Sequence, residues 1–337
     1  MGRGGKQIIT DNRVLTADYL PNKMVHREGE RQEIARNLRP LLEDGRPNDM
    51  LLFGPPGTGK TAMARYVIES LKEETKVQSS YVNCFSQKSR LEIFYELLDE
   101  KLTTPRDGTS TEKVVDLFEE KTRKAPTIVI IDEVDQITSD DVLYELSRFQ
   151  NTAMIFIAND RNVFSHFEDR VRSRFTGLKN VKFRKYSNQQ IADILDLRAE
   201  HGLGDSVISR SQLETLASKS NGDARIAVNS LRFAANEAEN KNLDKIPDDT
   251  VDESVTSAEN EKRIESLDRL NKHQKQVYEI LSDDGEMQIG DLYDRYCESV
   301  EDEKSRRTLL RYLKKMVNYD ILESEGATSS RSYRIAE

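Results

Sequence analysis

Gly54-Pro55-Pro56-Gly57-Thr58-Gly59-Lys60-Thr61 is the stretch whose reading decides the fold. It satisfies the spacing G-x-x-x-x-G-K-[ST] and lies between an apolar run, Met50 to Phe53, and a helical run, Ala62 to Leu71, which is the strand, loop and helix setting that this spacing requires. Its glycines let the backbone curl until successive N–H groups converge on phosphate oxygens, while the following helix turns its positive end to the same anion. Gly57, Thr58 and Gly59 are therefore expected to cradle a nucleotide's phosphates, Lys60 to reach the β and γ phosphates, and the Thr61 hydroxyl to ligate Mg²⁺.

Downstream, Thr127-Ile128-Val129-Ile130-Ile131 is an unbroken β-branched run, read as a strand buried on both faces, and it ends in Asp132-Glu133-Val134-Asp135. Carboxylates at that position fall at the carboxyl edge of a parallel sheet, beside the phosphate loop. Asp132 is expected in the Mg²⁺ shell and Glu133 is expected to orient and activate the attacking water. A further strand, Ala153 to Ala158, ends in Asn159, whose amide either bonds the water or the γ phosphate or simply starts a turn. Between Phe167 and Phe175 the arginines Arg170, Arg172 and Arg174 alternate, offering either bidentate phosphate contact from a subunit edge or an exposed basic face. Strands also read at Gln78 to Cys84 and Asn180 to Phe183. With helices between them, the pattern is that of a parallel sheet covered on both faces.

At 337 residues the chain exceeds one typical core, so two or three domains are expected. No apolar run approaches the roughly 20 residues needed to cross a bilayer, and the N-terminus lacks the apolar core of a signal peptide, so the expected home is cytoplasmic. Two distant cysteines and four scattered histidines give neither a disulfide framework nor a zinc spacing. The net charge of -9 argues against indiscriminate coating of nucleic acid, yet leaves room for a local basic patch.

Residues 1–18, Gly-rich and basic at the start, read as a flexible lead-in. The segment from Tyr19 to Glu28 either folds over the nucleotide base or packs under the first helix. After the last strand the pattern is helical through about residue 265, with Gly222-Asp223-Ala224-Arg225 opening one helix so that Arg225 projects back towards the nucleotide. The tract from Asp244 to Glu261 either links or lengthens the last of these helices. The final residues read as three helices and a hairpin, a winged helix. In its third helix Leu309, Leu310, Leu313, Met316 and Val317 are expected to face inward, while Lys304, Arg306, Arg307, Arg311, Lys314 and Lys315 form a run of six cations with no acid between them. Surplus positive charge in an acidic protein is better explained by DNA contact than by solubility, with Arg331 at the hairpin tip adding to it.

In their order these signals resemble the archaeal origin recognition and cell-division-control initiator family of the AAA+ superfamily, from about Asp18 to the C-terminus. The resemblance implies an α/β fold: residues 19–186 an AAA+ phosphate-loop NTPase base with a parallel sheet, 187–265 a helical lid, and 266–337 a winged-helix DNA-binding domain. It makes Lys60 and Thr61 the Walker A pair, Asp132 and Glu133 the Walker B pair, Asn159 sensor 1, Arg225 sensor 2, and Tyr186 and Arg198 further nucleotide contacts. Arg174 resembles the arginine finger, with Arg172 close enough to share that assignment. An initiator-specific motif that touches DNA falls, by order, within residues 88–106, where Lys88, Arg90, Lys101 and Arg106 are the positive charges.

The cofactors implied are ATP or ADP with Mg²⁺. The implied partners are duplex origin DNA, the replicative minichromosome maintenance helicase and other initiator copies, at the nucleoid and not at a membrane. Turnover is expected to be slow, as in a nucleotide switch. Rival readings are a clamp-loader, a junction-migration ATPase, or a signalling NTPase whose winged helix packs inward.

Overall fold

In the computed structural model, residues 7–43, 47–84, 89–98, 110–137, 139–268, 270–326 and 331–336 are described. The chain divides between Val255 and Thr256 into two units. The first begins with α1 (Glu28–Leu42), β1 (Met50–Phe53), α2 (Lys60–Glu74), β2 (Gln78–Asn83), α3 (Arg90–Leu98) and α4 (Thr111–Lys124). It continues with β3 (Thr127–Asp132), α5 (Asp140–Leu146), β4 (Thr152–Ala158), α6 (Asp169–Arg174) and β5 (Lys179–Lys182).

The five strands pair in parallel in the order β2-β3-β4-β1-β5. Alternation along them builds a layer on each side, because successive residues of a strand face opposite ways. Ile128, Ile130, Ile155, Ile157, Met50 and Leu52 pack with Ile34 and Leu38 of α1 and Met63 and Val67 of α2. Val129, Ile131, Met154, Phe156 and Leu51 pack with Phe94 of α3, Phe118 of α4 and Leu143 of α5. Strand order has a chemical consequence. It sets the carboxyl ends of β3, β4 and β1 side by side, so that Asp132, Asn159 and the phosphate loop meet across the edge of one sheet.

Helices α7 (Asn188–Gly202), α8 (Arg210–Lys219) and α9 (Ala224–Asn240) follow, and α10 (Asp248–Asp268) spans the division between the units. The tract that could only be read as linker or helix is thus helical for most of its length. Ser187 with Gln190 and Ser209 with Gln212 form capping boxes at the starts of α7 and α8, each satisfying two N–H groups that a helix start leaves open. Ile191, Leu195, Leu213, Leu216, Leu231 and Ala234 close the core between them.

Ile8, Ile9 and Leu15 belong to the same core, Ile9 bridges Leu203, and the Thr10 N–H donates to the Gly202 carbonyl at 2.9 Å. Residues 8–15 therefore differ from the flexible lead-in expected of them. Four apolar side chains in an otherwise polar stretch are enough to anchor it on the helices.

The second unit holds α11 (Lys272–Asp284), β6 (Met287–Gln288), α12 (Ile289–Ser299), α13 (Arg306–Asn318), β7 (Leu322–Glu325) and β8 (Ser332–Ile335). Its strands form an antiparallel sheet in the order β6-β8-β7, in which β6, too short to register in the sequence, pairs Met287 with Tyr333. Val277, Leu292, Tyr296, Leu309, Leu313, Met316 and Tyr333 make a separate core. No helix among the described residues is long and apolar enough to cross a membrane.

Candidate functional site

Lys60 begins α2, and its neighbour Gly59 holds the left-handed φ of 85° that turns the loop into the helix. Lys60 is 8% exposed, and its ammonium donates to the carbonyls of Gly54 at 2.7 Å and Pro55 at 2.8 Å and to Asn159 Oδ1 at 3.2 Å. Burial pulls its pKa down to about 8, against the nearby Asp132 carboxylate, which favours the charged form; the Arg225 charge pushes the same way as burial. Lys60 thus bonds Asn159 directly, and the charges of Asp132 and Arg225 lie near enough to act on it. The Thr58 hydroxyl, fully buried, donates to the Pro55 carbonyl at 2.8 Å and braces the loop.

Asp132 is 5% exposed. Its Oδ2 accepts from the Thr61 hydroxyl at 2.6 Å and from the Tyr81 hydroxyl at 3.3 Å, and its Oδ1 accepts from the Glu133 N–H at 2.9 Å. Burial raises its pKa, and the Thr61 hydrogen bond and the Lys60 charge oppose that rise. Glu133 sits at φ 53°, a left-handed conformation that costs a residue with a Cβ about 1 kcal/mol, and its charge is felt at Lys60. Strained backbone held at a site of buried charges is where functional geometry concentrates.

The helical region supplies the other wall. The Ala224 N–H donates to the Gly57 carbonyl at 3.0 Å, and a Cβ added at Gly57, whose φ is 67°, would overlap the Asp223 carboxylate. Asp223 caps α9 through the N–H groups of Arg225 at 2.9 Å and Ile226 at 3.2 Å. A Cβ at Gly59 would lie 2.8 Å from the Tyr186 hydroxyl. Tyr186 is buried, its pKa raised by that burial, and the Arg27 guanidinium stacks 3.9 Å from its ring centroid.

Arg27 is itself buried, donates to Glu30 at 3.0 Å and the Arg184 carbonyl at 2.6 Å, and leaves its Nε without a partner among the described residues. Arg198 is occupied differently from expectation. It donates to the carbonyls of Val14 at 2.8 Å and Tyr19 at 3.0 Å, with its guanidinium 4.9 Å from the Tyr19 ring centroid, so its hydrogen bonds hold the N-terminal segment.

These residues fit a nucleotide with Mg²⁺. Three loop glycines at positive φ, 54, 57 and 59, leave no room for a Cβ; among the described residues a buried ammonium has only carbonyl and amide oxygens as hydrogen-bond partners; and a hydroxyl and a carboxylate, hard oxygen donors, lie in contact. Tyr81, Arg27 and Asp223 were not singled out by sequence. Tyr81 lies on a strand that the sequence does read, Gln78 to Cys84, but the pairing of that strand with the Asp132 strand comes only from the fold.

The arginines of α6 fall into two classes. Arg170 pairs with Glu168 at 2.7 Å and Asp141 at 2.9 Å, and Arg172 pairs with Asp169. Arg174 is exposed, stacks 5.5 Å from the Tyr144 ring centroid, and has no carboxylate partner among the described residues. Of the motif placed at 88–106, residues Lys88, Lys101 and Arg106 lie outside the described residues. Arg90 is engaged with Glu145 at 2.6 Å and Glu112 at 3.1 Å.

In the second unit, Ser305 caps α13 by accepting from the Thr308 N–H at 3.3 Å. The Lys304 N–H donates to the buried Tyr296 hydroxyl at 3.1 Å, which also bonds His273 Nδ1 at 2.7 Å, and this fixes the entry to the helix. Arg306, Arg307, Arg311 and Lys314 are exposed along one side, and for the three arginines no carboxylate partner occurs among the described residues. The Arg331 carbonyl accepts from the Ile289 N–H at 3.0 Å, while residues 327–330 of the expected hairpin tip lie outside the described residues. The strands beside it are acidic: Glu323 pairs with Arg334 at 2.6 Å and Glu286 bonds Ser332.

A family model described as an AAA domain matches residues 45–163, and one described as a Cdc6 AAA+ ATPase-type lid domain matches residues 192–256. The chain is 34% identical over 336 residues to ORC1-type DNA replication protein 9 of Halobacterium salinarum, covering 98% of this chain and 94% of that protein. It is 35% identical over 308 residues to ORC1-type DNA replication protein 1 of the same organism, covering 89% and 99%. Among solved structures it resembles the Aeropyrum pernix ORC1 protein in complex with DNA, at a TM-score of 0.76 and 25% identity, covering 98% of this chain and 94% of that one.

Proposed function

The chain belongs to the ORC1-type DNA replication proteins of the AAA+ ATPases, and from that membership we propose that it binds ATP with Mg²⁺ and grips duplex origin DNA, its nucleotide state setting that grip. One observation carries the nucleotide half of this reading. Lys60, Thr61, Asp132 and Asn159, from two strand ends and one helix start, converge within hydrogen-bond reach on a loop whose glycines admit no Cβ.

On binding, Lys60 exchanges carbonyl partners for phosphate oxygens; Thr61 and Asp132 would hold the metal, which would supply charge neutralisation for the phosphates. Glu133 accepts the proton of the attacking water, and Asn159 keeps Lys60 and that water in register. Arg225 closes the site from the lid, and Tyr186 does so from the junction of base and lid. Arg174, the α6 arginine without a carboxylate partner, is the better candidate for a finger reaching a second copy's nucleotide.

The second unit is read as a winged helix whose α13 enters the major groove, with Arg306, Arg307, Arg311 and Lys314 on phosphates and base edges, and Lys304 and Arg331 flanking it. Its exposed arginines, which have no carboxylate partner among the described residues, and the likeness to an ORC1 protein solved with DNA support this. Recruitment of the replicative helicase is the step such an initiator would serve. Curated relatives matched over nearly their whole length favour it over a clamp-loader, a junction-migration motor or a signalling NTPase.

Glu133→Gln tests the chemistry. It should retain MgATP binding and lose turnover by at least about a hundredfold, the usual share of a general base. Turnover equal to that of the unaltered protein would refute Glu133 as the base.

A further inference from the structure

Tyr81 lies on β2, the edge strand, opposite Ile130 of β3. Asp132 is two residues further along β3 and so on the same face, the diagonal position that an aromatic side chain can span. The Tyr81 hydroxyl reaches Asp132 Oδ2 at 3.3 Å, the same oxygen that accepts from Thr61 at 2.6 Å, while the Glu133 N–H holds Oδ1 at 2.9 Å. Both carboxylate oxygens are thereby fixed.

The other side of the arrangement repeats the pattern on a helix. Thr61 and Arg65 stand four residues apart on α2 and share a face; Thr61 meets Asp132, and the Arg65 guanidinium lies 5.9 Å from the Tyr81 ring centroid. Two helix residues thus clasp two strand residues, with the Tyr81 ring between Arg65 and the sheet edge and partly exposed at 38%.

We propose that Tyr81 is a positioning residue for the metal: its hydroxyl locks the Asp132 carboxylate in the rotamer that faces Thr61, so that Mg²⁺ meets two oxygens already in place. This rests on the reading that the site takes a nucleotide with Mg²⁺. A ligand oxygen free to rotate loses affinity for the metal, and a hydrogen bond from behind removes that freedom. Tyr81 makes no direct contact with phosphate in this scheme, so its effect is confined to the metal-dependent part of binding.

The test is ATP affinity of the full chain, measured with chelator and then across a Mg²⁺ titration, for the unaltered protein and Tyr81→Phe. Phe keeps the ring under Arg65 and deletes only the hydroxyl. The expected result is unchanged metal-free affinity and a rise of about five- to tenfold in the Mg²⁺ needed for half-maximal enhancement, the size of one lost hydrogen bond. An identical Mg²⁺ requirement in the two proteins would overturn the proposal while leaving the nucleotide site intact, and so would an equal loss in the presence of chelator. If the unaltered protein bound ATP equally with and without Mg²⁺, the metal reading beneath the proposal would fail with it.

Discussion

Lys60 and Arg306 are both cations in a protein of net charge -9, but they are kept in opposite states. Lys60 is 8% exposed with three oxygen partners already in place, whereas Arg306 is exposed with no carboxylate partner among the described residues. A buried cation forfeits hydration in the fold itself, so a phosphate that replaces its carbonyl partners gains a strong, dry contact at one fixed place. An exposed cation keeps its water and offers a screened attraction that grows by addition along a polyanion. The first arrangement suits one small ligand of defined shape, and the second suits a long backbone that must be gripped and released.

The largest effect that would break this contrast is expected from Gly57→Ala. Its Cβ would overlap the Asp223 carboxylate and force a left-handed φ on a residue with a side chain. Nucleotide affinity should fall by at least about tenfold, the equivalent of 1.4 kcal/mol. Asp223→Ala in the same chain should restore part of it, because the overlap is removed and only the backbone cost remains. Affinity unchanged by Gly57→Ala would mean that the loop and α9 are not held together as described.

A smaller effect, and one that sharpens the contrast, comes with pH. Burial holds Lys60 at about 8 in the free protein, and phosphate at the site would raise that value. Binding then takes up a proton above pH 8. Nucleotide affinity should be flat below it and fall above it by up to about tenfold per unit. Folding responds in the other direction: the unfolded chain carries the proton up to its ordinary value, so stability rises as pH climbs from about 8 through that range. DNA affinity, resting chiefly on arginines with Lys304 and Lys314 beside them, should fall far less over the same interval. Nucleotide affinity that stayed level would remove Lys60 from the contact.

Much of the site was legible because it depends on short-range order. A loop spacing, a β-branched strand ending in two acids and a capped helix start each lie within a few residues, and the parallel order of the strands brings them together. What was not legible depends on register and on distant partners. Tyr81 acts on Asp132 only because β2 and β3 pair with Tyr81 beside Ile130, and no local pattern gives that pairing. Arg27 reaches Tyr186, and Arg198 reaches the carbonyls of Val14 and Tyr19, across more than a hundred residues. Residues 8–15 were misjudged for a related reason: four apolar side chains make no period, yet they find a surface once α7 and α9 are in place. Arg90, counted among the positive charges of a DNA-contacting stretch, is engaged with Glu145 and Glu112.

The most direct test of the central contrast is the salt dependence of both affinities in one protein, repeated with Arg306 and Arg307 changed to Ala. ATP affinity should vary little with salt, and DNA affinity should fall steeply in the unaltered protein. In the double variant the DNA slope should be shallower by about two, since each phosphate contact contributes close to 0.9. An unchanged slope in the double variant, or ATP affinity falling as steeply as that for DNA, would contradict the division between a dry nucleotide site and a wet DNA-facing helix.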